Sequence, residues 1–570
     1  MRIALDCETN LAHDHIWLCV TQDIDTGEVK VWKAPNGLWD YLKDATLIVA
    51  QNGINFDFPI LNRLWGTKIG LRQAYDTLVV SRLLEPTREN GHSLGAWGKE
   101  LAEEKVEYEK IWTWIMGRPQ EYSGECYDLV LDDLLEYYCI RDVDILCTLF
   151  HRLRADIESK GFSEESIVLE HQVAAIIAKQ ERNGFKLDVV HATCLLTDLK
   201  GKMGEIYERM QERWPPVIKE RYSEKTGKRL KDETITFNPA SRQQIGEKLI
   251  ELGWKPKKFT PTGQPIVDEG TLMGVNFPEA QIIAEYLMLQ KRVAQVESWM
   301  DAVGKDGRVH GKVITNGAVT GRMTHSSPNM AQIPNSGSPY GPECRQCWTV
   351  EEGNVLVGCD ASGLELRMLA HYMKDENYVK TVTEGSSKVG TDVHTINQRA
   401  AGLETRDQAK TFIYAFLYGA GPEKIGSIVG GSRVQGQRLI DRFLKGTPAL
   451  QRLRDLVQRY AEKGYVPGLD GRKIWVRSEH AALNSLLQGA GAIVMKKALV
   501  LFDTKVNRHK WPVKMVANVH DEFQFECPPD IAEEAGMAAR QSIVEAGLSY
   551  NLRCPLDGEY KIGRNWRETH

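Results

Sequence analysis

The sequence predicts a multidomain protein in which an α/β unit precedes a larger α+β region. The chain has 570 residues, too many for one hydrophobic core and enough for three or four domains. Residues 1–160 alternate short apolar strands with helical patterns, whereas residues 164–300 are mostly helical in pattern. Strand-like runs return in residues 301–375, residues 390–465 are helical in pattern, and residues 480–570 mix both.

Composition and charge limit the class of protein. Hydrophobic residues make up 42% and charged residues 26% of the chain, as in an ordinary soluble globular protein. The net charge of −5 excludes a basic protein that coats nucleic acid, so any nucleic-acid surface must be local. Residues 217–262 hold eleven Lys and Arg against six acids, whereas residues 101–150 hold four against twelve. DNA would therefore prefer the first of these regions.

The sequence also predicts a cytosolic location. Its eleven cysteines are scattered and odd in number, which is typical of reduced thiols. The N-terminal MRIALDCETN reaches acidic residues too early for a secretory signal. No stretch approaches the ~18 uninterrupted apolar residues of a membrane span, so we expect no association with a membrane.

Individual elements follow from periodicity. The runs Arg2–Glu8 and Thr46–Ala50 predict strands, and Leu129–Leu153 repeats at helical spacing. Two further predicted helices, Ile167–Arg182 and Ala280–Ala302, flank a polar and basic stretch. Two long helices with a basic tip suggest an arm that holds nucleic acid.

The N-terminal acids form a candidate metal site. Asp6 and Glu8 lie two residues apart on the first predicted strand and so face the same side. Asp57 follows the second predicted strand, and Tyr138 and Asp142 share one face of a helix. Four carboxylates suit Mg²⁺ or Mn²⁺, and two such ions can activate a water for phosphodiester cleavage, with Tyr138 orienting that water. A single acid is usually only solvated, but a carboxylate within the apolar MRIALD strand is costly to bury unpaired.

A second candidate site lies on a predicted helix near residue 410. Arg406, Lys410, Tyr414 and Tyr418 recur every fourth residue, so their side chains form one slanting stripe along roughly 18 Å of helix. Arg and Lys suit a polyphosphate, and aromatic rings stack on any base. The stripe therefore fits a nucleoside triphosphate, although the charged face of an ordinary amphipathic helix would look the same.

Two acids follow predicted strands in the C-terminal half. Asp360 ends the apolar run NVLVGCD, and Asp521 lies in VANVHDEFQFE, where a hairpin turn at His520 and Asp521 fits the spacing. Two carboxylates at strand ends could hold a further pair of Mg²⁺ ions for phosphoryl transfer to the triphosphate. Taken alone, Asp360 also fits a helix N-cap before SGLELR.

These motifs resemble those of family A DNA polymerases. DASGLELR, the R-x-x-x-K-x-x-x-Y-x-x-x-YG helix and VHDE are similar to motifs A, B and C of that family, with the closest pattern in its bacteriophage T7 type. The likeness runs over nearly the whole chain and includes DTLVVSRLL, NGAVTGRMTHSSPNMAQIP and HAALNSLLQGAGA. The order D-x-E, N-x-x-x-F-D, Y-x-x-x-D resembles the DEDDy class of 3′→5′ exonuclease.

The resemblance implies an RNase H-like 3′→5′ exonuclease domain followed by a right-hand polymerase. The activity it implies is template-directed DNA synthesis from dNTPs with proofreading, with two Mg²⁺ ions at each site and Mn²⁺ as a substitute. The implied ranges are 1–163 for the exonuclease, 164–300 for the thumb, 301–375 for the first part of the palm, 376–477 for the fingers and 478–570 for the second part of the palm.

The resemblance also implies roles for single residues. Asp360, Asp521 and the Ala361 carbonyl would hold the polymerase metals, and Asp6, Glu8, Asp57 and Asp142 the exonuclease metals. Glu365 would help to reject a 2′-hydroxyl, and Tyr414 at the deoxyribose would favour ready acceptance of dideoxynucleotides. The implied dNTP-binding residues are Arg406, Lys410, Tyr414, Glu365, His394 and Ala361. The implied DNA-binding residues are Arg322, Gln332, Tyr418, Gln488 and His520. The implied catalytic residues are Asp360, Asp521 and Lys410 for synthesis and Tyr138 for the exonuclease.

The sequence departs from the T7 type at the thumb. Members of that type carry a long insertion that binds thioredoxin as a clamp, whereas the matching place between Trp214 and Phe237 holds 22 residues here. We therefore expect no thioredoxin clamp. The basic cluster in this stretch would contact duplex DNA or remain a solvated loop. The resemblance further implies a monomer that works on primer–template DNA, with a replicative helicase–primase as a partner, in the bacterial host cytoplasm if the protein is of phage origin.

Two other functions share parts of this pattern. A single-subunit RNA polymerase has similar palm acids and helix lysine, but Glu365 and the N-terminal acids argue against it. An inactive DNA-binding or scaffold protein would not require complete acid sets at both sites.

Overall fold

An N-terminal α/β unit is built on a five-stranded mixed sheet. The computed structural model describes residues 1–223 and 225–570. The strands of this unit are β1 (Arg2–Thr9), β2 (Ile16–Asp23), β3 (Val29–Trp32), β4 (Leu47–Ala50) and β5 (Ala74–Asp76). Its helices are α1 (Leu38–Leu42), α2 (Asp57–Leu64), α3 (Thr77–Leu84), α4 (Leu94–Glu100), α5 (Tyr108–Ile115) and α6 (Asp132–Lys160). The sheet order is β3-β2-β1-β4-β5, with β1 parallel to β4 and antiparallel to β2.

Strand β1 is the centre of this unit and carries its acids. Ile3, Leu5 and Cys7 are buried on one side, whereas Asp6 and Glu8 are half-buried on the other. This alternation follows from the two-residue period of a strand. Helix α6 packs against β1 and β2, so it covers the side on which the acids lie. The predicted strands Arg2–Glu8 and Thr46–Ala50 and the predicted helix Leu129–Leu153 are confirmed.

A helical arm follows the N-terminal unit. Its elements are α7 (Glu164–Asn183), β6 (Phe185–Leu187), α8 (Val189–Arg213), β7 (Val217–Lys219), β8 (Glu233–Ile235), α9 (Arg242–Glu251), α10 (Glu269–Met273) and α11 (Pro278–Asp301). Helices α8 and α11 pack on each other through a shared apolar core, and β7 pairs with β8 as an exposed hairpin. The predicted helix Ile167–Arg182 forms as α7, but the expectation that it belongs to the arm is wrong, because α7 packs against elements near the C-terminus, residues 482–509 and 514–519.

Short strands and one short helix link the arm to a central sheet. They are β9 (Arg308–Val309), β10 (Lys312–Ile314), β11 (Thr324–Ser326), α12 (Gly341–Gln346) and β12 (Trp348–Thr349). The central sheet is formed by β13 (Val355–Ala361) and, near the C-terminus, β16 (Lys514–Val519), β17 (Glu522–Cys527) and β18 (Gly558–Gly563). Its order is β16-β17-β13-β18, and every neighbouring pair is antiparallel.

A helical subdomain is inserted between β13 and β16. Its elements are α13 (Leu364–Met373), α14 (Glu376–Glu384), α15 (Val393–Ala401), α16 (Arg406–Leu417), α17 (Pro422–Ile428), α18 (Arg433–Gly446), α19 (Pro448–Ala461), β14 (Tyr465–Pro467), β15 (Lys473–Trp475) and α20 (Ala482–His509). Helix α21 (Ala532–Ser549) then packs on α20, β13 and β18. The insertion brings α13 and α16 close to the end of β13, where the site is built.

Helix α20 is the apolar centre of the C-terminal half. In the described part of the chain, the segment Glu479–His509 alone is long and apolar enough to cross a membrane, and 78% of its most apolar window is buried within the protein. Helices α7, α13, α19 and α21 all pack against α20. Burial on every side explains why it is apolar all round.

A buried ionic network ties α7 to α20 and to the β14–β15 loop. Glu170 Oε1 accepts hydrogen bonds from Arg472 Nη1 at 2.6 Å and from Lys496 Nζ at 2.7 Å. Asp470 pairs with the same guanidinium at 2.6 Å, and the Asn316 amide oxygen accepts from the same ammonium at 2.7 Å. All five residues are at most 3% exposed, so each charge depends on its partners rather than on water.

We predict that Glu170→Gln destabilises the protein by about 3–5 kcal/mol, because it leaves two buried cations with one carboxylate. The urea midpoint of unfolding measures the loss. The control is Asp198→Asn, which breaks an exposed pair with Lys202 and should cost about 0.5 kcal/mol or less. Equal midpoints for the two variants would contradict the prediction.

Candidate active sites

Strand β13 and the β16–β17 hairpin bring two acids together at one edge of the central sheet. Asp360 lies near the end of β13, opposite Glu522 of β17. His520 and Asp521 form the two-residue turn of the hairpin, and His520 has a φ of 58°, as tight hairpin turns require. The Ala361 N–H donates to the Asp521 carbonyl at 3.1 Å. The predicted ligands Asp360, Ala361 and Asp521 are therefore neighbours.

The electrostatics of this acid pair favour a divalent cation. Burial, together with the negative charges of Asp521 and Glu522, raises the pKa of Asp360 to about 7. Burial also raises the pKa of Asp521. Crowded carboxylate oxygens of this kind fit Mg²⁺ or Mn²⁺. The alternative role of Asp360 as a helix N-cap is wrong, because α13 begins after Gly363.

The stripe predicted near residue 410 lies on helix α16. The helix begins with a capping box in which Thr405 and Gln408 satisfy each other's backbone N–H groups. The buried face of the helix consists of Ala409, Phe412, Ile413, Phe416 and Leu417. Arg406, Lys410 and Tyr414 lie on the other face, and Tyr418 is the C-cap residue. The Tyr414 and Tyr418 rings stack with centroids 6.4 Å apart.

The two cations of the stripe are held differently. Arg406 Nη2 and Nε lie 3.0 Å from Asp392 Oδ1, and Asp392 also caps α15 by accepting from the His394 N–H. Lys410 is exposed and has no ion-pair partner in the described part of the chain. Arg406 is thus oriented by the protein itself, whereas the Lys410 ammonium is available to a ligand.

A chain of polar contacts closes the other end of the stripe. The Tyr418 hydroxyl donates to Glu365, with oxygen–oxygen distances of 2.7 and 2.8 Å to its two carboxylate oxygens. Arg322 Nη2 lies 3.2 Å from Glu365 Oε1. Glu365 is on α13, and its charge and that of Arg322 both act on Asp521, so this end of the stripe lies near the acid pair. The charge of Asp521 also acts on the Tyr414 phenol.

The remaining predicted residues have fewer contacts, and two of them, Gln332 and Gln488, have none with the stripe or the acid pair in the described part of the chain. His394 is half-buried, with its ring 6.2 Å from that of Tyr414, and burial lowers its pKa. His520 and Arg322 line one small cavity. Gln488 is half-buried on α20, and exposed Gln332 contributes its carbonyl to the arm residue Gln295 at 2.9 Å.

Some neighbours of the acid pair were not identified from the sequence. Glu522 is buried and accepts from Trp566 Nε1 at 2.6 Å, and the C-terminal His570 Nδ1 lies 3.1 Å from its other oxygen. The charge of His570 acts to lower the pKa of Asp360. Asp392 was also missed. The sequence marks Asp392 as a helix cap, but its contact with Arg406 appears only in the structure.

The N-terminal acids form a second cluster. Asp6 and Glu8 of β1 and Cys139 of α6 have ligand atoms that all lie within 4.8 Å of one another. Asp57, at the start of α2, reaches back to β1 and accepts from the Cys7 N–H at 3.1 Å. Asp142 is 3% exposed on the same helix as Cys139. Strand β1 and helices α2 and α6 thus bring these side chains near one another, and the predicted position of Asp57 in a loop is wrong, because Asp57 begins α2.

Burial and mutual repulsion dominate this second cluster. Burial raises the pKa of Asp6, Glu8 and Asp57, with neighbouring acids adding to the effect for Glu8 and Asp57. Burial and the charge of Asp6 raise the pKa of Asp142 to about 7. Such a set of hard oxygen donors fits a divalent cation, which would offset the repulsion.

Tyr138 and Cys139 of helix α6 lie beside the acids of this cluster. Tyr138 is 8% exposed, and burial and the charge of Asp142 raise its pKa. The Cys139 thiol donates to Asp6 Oδ2 at 3.4 Å, and burial keeps it protonated by raising its pKa. Cys139 was not identified from the sequence, although it lies three residues before Asp142 and so close to it on the helix.

Comparison with known structures defines the class of protein. The POL domain of Pol1 from M. smegmatis, solved in complex with DNA primer-template and dNTP, superposes with a TM-score of 0.78, covering 100% of this chain and 95% of that one, at 18% sequence identity. The chain therefore has the fold of a right-hand polymerase, and we call its central sheet, helical insertion and arm the palm, fingers and thumb after that fold.

Comparison of sequences gives the family. Residues 208–568 match the family described as DNA polymerase family A. The DNA-directed DNA polymerase of Enterobacteria phage T3 is 35% identical, with 93% of each chain covered. That of Escherichia phage T7 is also 35% identical, with 92% of each covered. DNA polymerase I of Aquifex aeolicus is 29% identical over 91% of this chain. The chain belongs to DNA polymerase family A and is of its T7 type.

The raised pKa values of Asp360 and Asp142 predict a pH-dependent response to metal. Each acid has a pKa of about 7 in the fold against an ordinary value of 3.8, so it destabilises the metal-free protein increasingly as the pH rises through this interval. We expect Mg²⁺ to raise the thermal midpoint more at about pH 8 than at about pH 5.

The matched comparison uses two double variants. Asp360→Asn/Asp142→Asn should reduce the difference between the two pH values, whereas the exposed pair Asp44→Asn/Asp530→Asn should leave it unchanged. A Mg²⁺ effect that is independent of pH in the unaltered protein would contradict the prediction.

Proposed function

We propose that this protein is a DNA-directed DNA polymerase that extends a primer with dNTPs and proofreads with a 3′→5′ exonuclease. The observation that carries the proposal is that Tyr418 and Arg322 both contact Glu365, while the charges of Glu365 and Arg322 act on the palm acid Asp521. The phage T3 and T7 relatives are DNA-directed DNA polymerases, which supports it. The DNA primer-template and dNTP of the structural neighbour support these molecules as partners.

The palm acids would hold the metals. Asp360, Asp521 and the Ala361 carbonyl supply oxygen ligands for two Mg²⁺ ions, for which Mn²⁺ would substitute. When bound, such ions lower the pKa of the primer 3′-hydroxyl and neutralise the triphosphate. In the reaction, the 3′-oxygen forms a bond to the α-phosphorus of the dNTP, the hydroxyl proton is lost, and pyrophosphate leaves.

The stripe would bind the triphosphate. Arg406, oriented by Asp392, offers a fork of N–H donors to phosphate oxygens. Lys410 has no ion-pair partner in the described residues and would place its charge where negative charge develops on the leaving group. His394, beside Tyr414, would contact the same phosphates. Their combined effect is to hold the α-phosphorus in reach of the primer end.

The other end of the stripe would select the sugar and the template base. Tyr414 would lie against the deoxyribose, and Glu365 would narrow the space available to a 2′-hydroxyl. Tyr418, bonded to Glu365, would lie beside the templating position. Arg322, Gln332, Gln488 and His520 would contact the primer–template. Acceptors in the minor groove are shared by all base pairs, so such contacts test geometry rather than sequence.

The N-terminal acids would form the exonuclease site. Asp6, Glu8, Asp57 and Asp142 would hold two divalent ions, which activate a water towards the terminal phosphodiester. Tyr138, buried beside Asp142, would orient that water. The convergence of these side chains from β1, α2 and α6 supports this part of the proposal.

The charges of the thumb hairpin, β7–β8, indicate which of its residues could contact DNA. Within the short insertion, Arg229 pairs with Glu220 and Asp232 at 3.3 and 2.9 Å, so its charge is already compensated. The lysines of the basic stretch between Trp214 and Phe237 would instead contact the DNA phosphates. They are Lys219, Lys225, Lys228 and Lys231. We propose a monomer in the bacterial cytoplasm that works with a replicative helicase–primase and without a thioredoxin clamp.

We predict that Asp521→Asn abolishes primer extension in Mg²⁺ but leaves degradation of single-stranded DNA intact, because only the palm loses a ligand. The control is Asp530→Asn, an exposed acid of the palm, which should leave both activities unchanged. Persistent extension by Asp521→Asn would show that the palm assignment is wrong. Extension with rNTPs as efficient as with dNTPs would instead favour an RNA polymerase.

We predict the reverse for Asp6→Ala. Extension should survive, while primer degradation should fall by at least about a hundredfold, since an essential metal ligand is lost. Asp44→Ala is the matched control, because Asp44 is exposed in the same unit. Undiminished degradation by Asp6→Ala would remove the exonuclease from the proposal.

A further inference from the structure

One lysine enters the N-terminal acid cluster. The Lys105 ammonium contacts Asp142 Oδ2 and lies 4.6 Å from the centre of the Tyr138 ring. Its charge also acts on Asp6 and Glu8. In the described part of the chain, no other cation acts on more than one of the four acids. Lys105 is thus the protein cation that acts on three of the four crowded carboxylates, those of Asp6, Glu8 and Asp142.

The position of Lys105 is built by its neighbours. It lies in the irregular segment between α4 and α5, residues 101–107. The Glu103 N–H donates to the Gly98 carbonyl at 2.8 Å, and Thr148 Oγ1 of α6 donates to Glu103 at 2.8 Å. A Cβ on Gly98 would come within 2.4 Å of the Glu103 carbonyl oxygen, so glycine permits this close approach. The segment is thus fastened to α4 and α6 on one side of Lys105.

The other side of Lys105 is fixed as well. Tyr108, the first residue of α5, is 2% exposed, and its ring lies 5.2 Å from that of Tyr138. Lys105 therefore stands between two anchored residues, with its side chain 31% exposed and the Asp142 side chain 4% exposed. This burial distinguishes the pair from the surface ion pairs of the same domain, such as Lys43 with Asp40, where both side chains are exposed.

The contact has a consequence for metal binding. Asp142 is one of the four acids that would ligate the divalent ions, and its Oδ1 is buried without a hydrogen-bond partner in the described structure. The ammonium at Oδ2 and a divalent ion bound to the same carboxylate would both neutralise the one negative charge of Asp142, so they would compete for it. A lysine has a flexible four-carbon stem, so the ammonium can leave the carboxylate while its backbone stays anchored.

We propose that Lys105 is a positioning residue of the exonuclease site, whose ammonium and the divalent ion are alternative partners of Asp142. Without the ion, Lys105 keeps the four acids assembled by compensating part of their charge. When the ion binds, the ammonium no longer contacts Asp142. The inference rests on the proposed exonuclease function, because it takes the N-terminal acids as the ligands.

The test measures Mn²⁺ binding directly. In a full-length Asp360→Asn/Asp521→Asn background, which silences the palm site, Mn²⁺ is titrated and the free ion is followed by electron paramagnetic resonance. Lys105→Met should bind Mn²⁺ about five- to fiftyfold more tightly than its parent, because a competitor has been removed. Lys105→Arg, which keeps the charge, should stay near the parent.

Thermal stability provides the second readout. In EDTA, which removes metal ions, Lys105→Met should have a lower thermal midpoint than its parent, because the acids then have neither the ammonium nor an ion. In saturating Mn²⁺ the two midpoints should be equal. Lys99→Met is the matched control, because Lys99 is exposed and lines the same surface cavity as Lys105. This variant should change neither Mn²⁺ affinity nor stability.

Three outcomes would overturn the inference. Unchanged or weaker Mn²⁺ binding by Lys105→Met would show that the ammonium does not compete with the ion. If Lys105→Met lost the same stability with and without Mn²⁺, Lys105 would have only a structural role. Parent protein that shows no Mn²⁺ binding sensitive to Asp6→Ala would overturn the exonuclease site itself, and this result is distinct from the other two.

Discussion

The partial desolvation and mutual repulsion of closely spaced carboxylates are the constraint on which both sites depend. At the palm, Asp360 and Asp521 are brought together by a strand and a hairpin turn, and at the N-terminal cluster four acids converge from β1, α2 and α6. In each place burial raises the pKa of the carboxyl groups. A fold that assembles such groups gives up stability. Divalent cations would restore this stability, as the proposed metal sites require.

The two sites compensate their charge by different means. At the palm, Arg322 pairs with Glu365 and acts on Asp521, and His570 acts on Asp360. At the N-terminal cluster, Lys105 alone acts on several acids in the described structure. The buried network of Glu170, Arg472 and Lys496 joins α7, the β14–β15 loop and α20 and includes no residue of either site. It therefore holds α7 to the palm without taking part in either site.

Much of this architecture could be predicted from the sequence, because its signals are local. The alternation in β1 places Asp6 and Glu8 on one side, and the four-residue spacing from Arg406 to Tyr418 defines the stripe. The family resemblance supplied the order of the domains. Contacts that cross the chain could not be predicted. Lys105 meets Asp142 across 37 residues, and Arg406 meets Asp392 across 14, and no spacing rule connects such pairs.

The central claim is that one face of α16 delivers a triphosphate to the palm acids, and Lys410 tests it most directly. Single-turnover incorporation of one dNTP should fall by at least about a hundredfold in Lys410→Ala, with degradation of single-stranded DNA unchanged. Lys424→Ala removes an exposed lysine from the neighbouring helix α17 and should incorporate at the unaltered rate. Incorporation by Lys410→Ala at the rate of Lys424→Ala would contradict the account.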